Sequence, residues 1–151
     1  CDTTGSVNND FLGDVKVVTL YPNGAGDSTD FTPLSGSNYQ NVDEVLADGD
    51  TTYVESSTVS DKDLYTFENL GYTPESIYGV QTVAVARKDD AGSREMRVIT
   101  KSGATTKSGS SVALGTAYGV VMDFMETNPD DSAAWELADI NALQAGVEVT
   151  A

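Results

Sequence analysis

Acidic side chains dominate the groups in this chain that could do chemistry. Its 151 residues carry 24 Asp and Glu against 8 Lys and Arg, a formal charge of −16. The acids fall in small groups: Asp43-Glu44, Asp48 with Asp50, Asp61 with Asp63, Asp89-Asp90 and Asp130-Asp131. A hard cation such as Ca²⁺ takes about six to eight oxygen ligands, and Asp-rich loops supply them. No group has the alternating ligands, central glycine and terminal glutamate of an EF-hand. Asp48-Gly49-Asp50 is the best candidate for a Ca²⁺ contact, because the glycine lets two carboxylates converge. The competing reading is a solvated acidic surface with Asp in turns, bonded to its own backbone. Beyond that Ca²⁺ candidate, no cofactor is expected. Two carboxylates about 5–10 Å apart can also hydrolyse glycosides. In a chain with 24 acids some pair meets that spacing by chance, so the expectation is no enzyme.

Other chemistries lack their residues. Histidine is absent, which removes His-based triads, His general bases and His metal sites. There is no glycine-rich phosphate loop before a helix and no G-x-S-x-G elbow. Cys1 is the single cysteine, so no intrachain disulfide forms. It reads either as the acylated start of a lipoprotein or as an ordinary position of a longer chain. The negative charge opposes contact with nucleic acid and with anionic membrane surfaces, and neither is an expected partner. Six of the eight basic residues crowd between positions 87 and 107: Arg87, Lys88, Arg94, Arg97, Lys101 and Lys107. The first 75 residues hold 14 acids and only Lys16 and Lys62. The basic cluster either pairs locally with Asp89, Asp90 and Glu95 or docks the acidic face of a neighbouring copy. In the second case the assembly loosens as salt is added. Tyr53 and Trp135 are the candidates for stacking on a sugar ring; Trp135 also reads as a lid over one end of a core.

The elements that must position these groups read as strands. Hydrophobic residues make up 39% and charged residues 21%, with 14 Gly and 4 Pro, a globular composition. A chain of this length buries roughly 68–70% of its unfolded surface and needs no staples. Strands are predicted over Gly13–Tyr21, around Thr51–Val54, over Asp63–Leu70, Ile77–Lys88 and Ser93–Lys101, and at Val147–Val149. Pro22–Asp27 reads as a turn, and Thr100–Ser111 as a polar loop. Asp89-Asp90-Ala91-Gly92 reads as the turn of a long hairpin joining Ile77–Lys88 to Ser93–Lys101. Apolar residues on both faces of Ile77–Lys88 suggest a strand covered on two sides. Tyr118, Val120, Met122 and Phe124 alternate with Gly119, Val121, Asp123 and Met125, and the first set is expected to face the core. Leu137, Ile140 and Leu143 form one stripe of a short helix ended by Gly146, and Glu148 is expected outward. The fold class is therefore all-β, an antiparallel sandwich or jelly roll of about eight strands with one short helix near the C-terminus.

Several stretches, in order along the chain, resemble a family of uncharacterised bacteriophage virion structural proteins. They include Asp2-Thr3-Thr4-Gly5-Ser6 through Val15, Tyr21-Pro22-Asn23-Gly24, Gly49-Asp50-Thr51-Thr52-Tyr53-Val54, Ala86–Arg94, Glu126-Thr127-Asn128-Pro129 and Ala138–Leu143. In that family such a module usually follows a jelly-roll domain of the concanavalin A or laminin G type. The resemblance implies that Cys1 is internal to a longer chain. It also implies that residues 1–12 are an extension or the tail of an upstream domain, with residues 13–151 as one sandwich. The implied role is non-enzymatic: capsid decoration, head fibre or tail appendage, through contacts with copies of itself and other virion proteins. The implied location is the virion. Alternatives are a carbohydrate-binding attachment module and a lipoprotein or filament subunit of the bacterial cell surface.

Overall fold

A computed structural model describes residues 7–151. Cys1, the Asp2–Ser6 stretch and the first half of the expected extension lie outside the described residues. The elements in chain order are β1 (Pro22–Thr29), β2 (Thr32–Pro33), a 3-10 turn (Asn38–Asn41), β3 (Val54–Glu55), β4 (Lys62–Phe67), β5 (Val80–Ala86) and β6 (Glu95–Ser102). They continue with β7 (Thr105–Ser108), β8 (Val112–Ala113), β9 (Gly119–Met125), α1 (Leu137–Ala142) and β10 (Gln144–Val149). The class is all-β, as the sequence predicts. A six-stranded antiparallel sheet runs β1-β4-β10-β6-β7, with β8 also on β6. A two-stranded ribbon, β5-β9, packs over it, and β2-β3 forms a small separate pair.

The final strand occupies the middle of the large sheet. β10 pairs with β4 from Gln144↔Thr66 to Glu148↔Lys62 and with β6 from Gln144↔Lys101 to Val149↔Met96. Five consecutive residues, Ala145 to Val149, are buried. Gly146 therefore lies inside a strand rather than ending α1, whose C-cap is Leu143. A Cβ at Gly146 would sit 1.8 Å from the Asp63 carbonyl oxygen, so only glycine lets β4 close on β10. Alternation puts Val147 and Val149 on the ribbon side, where Val147 joins Met96, Val98 and Val121 in the core. Glu148 falls on the opposite side, yet it is buried: Arg97 Nε donates to it at 2.8 Å, and Lys62 Nζ lies 3.8 Å away. The two basic stems cover the carboxylate that the alternation assigns to solvent.

β4 carries a second buried acid. Asp63 is fully buried and accepts from Phe31 N at 3.0 Å, Asn38 Nδ2 at 2.6 Å and Tyr65 Oη at 2.7 Å. These bonds tie the β1–β3 region to the sheet. Burial first, and then the Asp63 charge, hold the Tyr65 hydroxyl far above the ordinary phenol range. The other end of the core is closed by Trp135, Ile140 and Leu143 against Met125 and Ala145. Two residues of the predicted stripe thus pack into the core, Ile140 within a helix of six residues and Leu143 as its C-cap, while Leu137 is half-buried.

Four expectations are corrected. First, Gly13–Tyr21 forms no strand, and the chain enters the sheet at Pro22, where a turn was expected. The Asn-Gly signals there become register shifts of β1 against β4. Gly24 and Gly26 permit this close approach, since a Cβ at Gly26 would lie 2.7 Å from the Leu64 backbone. Second, β5 and β6 form no hairpin. β5 pairs with β9 over Val80↔Met125 to Ala86↔Gly119, and β6 pairs with β10, so the Asp89–Gly92 segment crosses between layers. Third, the expected loop after β6 contains β7, folded back through Gly103 at φ +54°. Fourth, Tyr118, Val120, Met122 and Phe124 face outward, while Val121 and Met125 are buried. The inward side of the ribbon is set by partners in the sheet, where the Thr82 and Thr100 hydroxyls bond at 2.6 Å.

Gly146→Ala is expected to destabilise the fold by about 3 kcal/mol through overpacking, read as a lower urea midpoint with an unchanged slope. Tyr65 supplies a pH test. Its folded pKa is raised, so the stability it contributes is whole below pH 10 and falls as pH rises beyond, because the unfolded phenol ionises first. One such group costs about 1.4 kcal/mol per pH unit. Tyr65→Phe should flatten the alkaline loss measured by urea titration at successive pH values.

Candidate functional site

The outward face of the β5-β9 ribbon is the most distinctive surface. Register places Gln81, Val83 and Val85 of β5 directly across from Phe124, Met122 and Val120 of β9. Five of these six side chains are apolar, and they remain exposed: Val83 54%, Val85 46%, Val120 60%, Met122 60% and Phe124 55%. None of the six bears a formal charge. Gln81 Nε2 donates to the Met122 sulfur at 3.1 Å and lies along the face. Among the described residues, β5 and β9 have no strand neighbour but each other, so each keeps one open edge.

The two ends of the face differ. At one end Tyr78 and Phe124 meet Phe11 and Leu12 around a cleft of about 320 Å³. Asn8 Nδ2 donates to the Tyr78 carbonyl at 2.8 Å and holds the N-terminal segment there. A Cβ at Gly79 would lie 2.4 Å from the Phe124 ring, so this glycine makes room for it. At the other end Asp50 Oδ1 accepts from the Tyr118 hydroxyl at 2.6 Å and from Arg87 Nη2 at 2.9 Å. The Arg87 guanidinium also stands 5.4 Å from the Tyr118 ring centre. The Tyr118 hydroxyl bond, and then Arg87, hold the Asp50 carboxyl below the ordinary carboxylate range. The same bond raises the Tyr118 hydroxyl.

The residues singled out from sequence are distributed over the molecule. Asp48 and Asp50 do not converge: Asp48 Oδ2 lies 2.9 Å from the Thr52 hydroxyl, which also reaches Glu44 at 2.5 Å, while Asp50 faces Arg87 and Tyr118. Among the described residues no three acidic or cysteine side chains gather as metal ligands. The six basic residues each have an acceptor within the chain. Arg87 pairs with Asp50, Arg94 with Asp90, Arg97 with Glu148, Lys101 with Asp27 and Lys107 with Asp123. Lys88 donates to the Gly92 carbonyl. The local acid pairing expected from sequence is present at Arg94; Lys88 bonds a local carbonyl instead, and Arg87, Arg97, Lys101 and Lys107 find acids in other segments. Trp135 is buried, 3% exposed, with its indole NH on the Met125 carbonyl at 3.1 Å, so its ring closes the core end. Tyr53 is half-buried beside the β2-β3 pair.

The ribbon face was not singled out as a site from sequence. Its signal in the sequence is the apolar character of both faces of Ile77–Lys88, which suggests cover on two sides, and the Tyr118–Phe124 set, expected to face the core; Val83, Val85 and that whole set are instead exposed. No protein-family model, curated protein or solved structure matches this chain.

The Asp50 link is testable alone. A lowered carboxylate pKa means the link contributes above pH 3.8 and is lost as pH falls through the folded value. Tyr118→Phe removes the main donor, and the Asp50 carboxyl resonance should then titrate closer to 3.8 than in the unsubstituted chain.

Proposed function

We propose that this chain is a non-enzymatic structural module of a bacteriophage particle, acting through protein–protein contact. The observation that carries this reading is the uncovered apolar face of the β5-β9 ribbon. Large contiguous apolar patches on a folded domain mark contact surfaces, because leaving them in water forgoes roughly 25 cal/mol per Å². The face is built on a β-ribbon braced against a six-stranded sheet, which suits a rigid lattice or fibre contact better than a small-molecule site. The ordered resemblance of Asp2–Val15, Gly49–Val54, Ala86–Arg94 and Ala138–Leu143 to phage virion proteins supports the particle as the setting. A second reading, attachment to glycans, draws on three exposed rings on or beside the same face, Tyr78, Tyr118 and Phe124.

Electron microscopy and mass spectrometry of purified particles test the proposal. The expected result is stoichiometric incorporation and density that disappears when the gene is deleted. Particles that lack the protein would defeat the virion reading. Binding on a glycan array abolished by Phe124→Ala would move the assignment to attachment.

A further inference from the structure

We infer that the ribbon face is covered by a second copy of this chain, packed face to face about a twofold axis that runs along the ribbon. The inference deepens the assembly reading above and rests on it.

Area is the first argument. The exposed ribbon side chains, with Tyr78 and Tyr118 at its ends and Phe11 and Leu12 at its rim, amount to on the order of 800 Å², about what each partner contributes to a standard stable interface. That exceeds the roughly 300–600 Å² of the largest patch on a typical monomer.

Charge is the second argument, and it selects this face for contact between copies. Each chain carries −16, so two copies repel over most orientations. The six central positions of the face carry no formal charge, so a face-to-face approach confines acid–acid contact to the rim, where Asp10 and Glu126 line the cleft beside Phe124. The basic residues that could have joined copies through opposite charge already pair within the chain.

Shape is the third argument. β5 presents the small side chains Val83 and Val85, and β9 presents the larger Met122 and Phe124. A twofold axis along the ribbon lays β9 of one copy over β5 of the other. Each residue then faces the register partner of its own counterpart: Met122 over Val83, Phe124 over Gln81 and Val120 over Val85, at the spacing of about 10 Å at which stacked sheets interdigitate. Because Val83 and Met122 are register partners, Met122 of each copy comes to lie over Val83 of the other.

Sedimentation velocity on the full chain tests the inference without reference to any particle, so it can fail while the virion reading stands, and the reverse. The expected result is a concentration-dependent dimer that tightens several-fold as salt screens the two acidic bodies. Met122→Lys and Val83→Glu should each give monomer with unchanged far-UV circular dichroism, since both positions are exposed. Mixing the two variants should restore a dimer, because the introduced ammonium and carboxylate then face each other. A chain that stays monomeric at its highest soluble concentration overturns the inference. So does a dimer that loosens with salt, one that persists with Met122→Lys, or a mixture that fails to reassociate.

Discussion

The insertion of β10 between β4 and β6 is the constraint on which the rest of the structure depends. It brings together segments separated by some of the longest loops in the chain, and it is possible only because position 146 has no side chain. With β10 in place, Ala145 and Val147 complete an apolar surface with Met96 and Val98. The ribbon needs that surface, since Val121 buries against Met96, Val98 and Val147, and Met125 against Ala145 together with Trp135, Ile140 and Leu143. Without the central strand, β4 and β6 would be separate edges and the two layers would not form. Such pairing is entirely non-local, so its loop-closure entropy must be overcome before any contact forms.

The sheet also decides where the scarce positive charge goes. Glu148 sits in the central strand and is nearly buried, and an unpaired carboxylate there would cost several kcal/mol. Arg97 and Lys62 flank it from β6 and β4, because the register places them directly opposite. Asp63 is satisfied differently, by three neutral donors and no cation. Two of the eight basic residues are thus committed to one strand, and four more pair with Asp27, Asp50, Asp90 and Asp123. Of the six between positions 87 and 107 only Arg97 and Lys101 lie on β6, and they reach Glu148 of β10 and Asp27 of β1.

Local features were legible in the sequence, and their long-range partners were not. The all-β class, the extent of β6, the Leu137/Ile140/Leu143 stripe and the lid role of Trp135 follow from periodicity and side-chain type. The β5–β6 hairpin did not form, because Asp89–Gly92 is as good a crossover between layers as it is a turn. Pairing strength across a sheet, which turn chemistry does not encode, selected β9 for β5 and β10 for β6. Glycine misled for a related reason: Gly26 and Gly146 look like breaks, but each marks a place where two backbones come close, and Gly24 leaves room for the Thr66 hydroxyl. The site was hidden most thoroughly. In β9 both sides of the strand are apolar, and hydrophobicity favours the wrong one, since Tyr118, Val120, Met122 and Phe124 outweigh Val121 and Met125. What decides is the neighbour each side meets, Thr100 and Val98 on one, solvent on the other.

The inverted burial of β9 and the charge of −16 are two parts of one arrangement. A face with Val83, Val85, Val120, Met122 and Phe124 exposed would, on a neutral protein, stick to many surfaces, and the open edges of the ribbon would add strand pairing to the hazard. The acidic excess raises the cost of a wrong approach by another copy, edge-to-edge contact included. An approach in which the uncharged faces meet squarely keeps the acidic bodies furthest apart while removing the apolar area from water. Repulsion that would weaken any contact therefore acts selectively: it weakens the misaligned ones more. In the proposed dimer the acidic excess would set the geometry of association, and the apolar side chains would supply its strength.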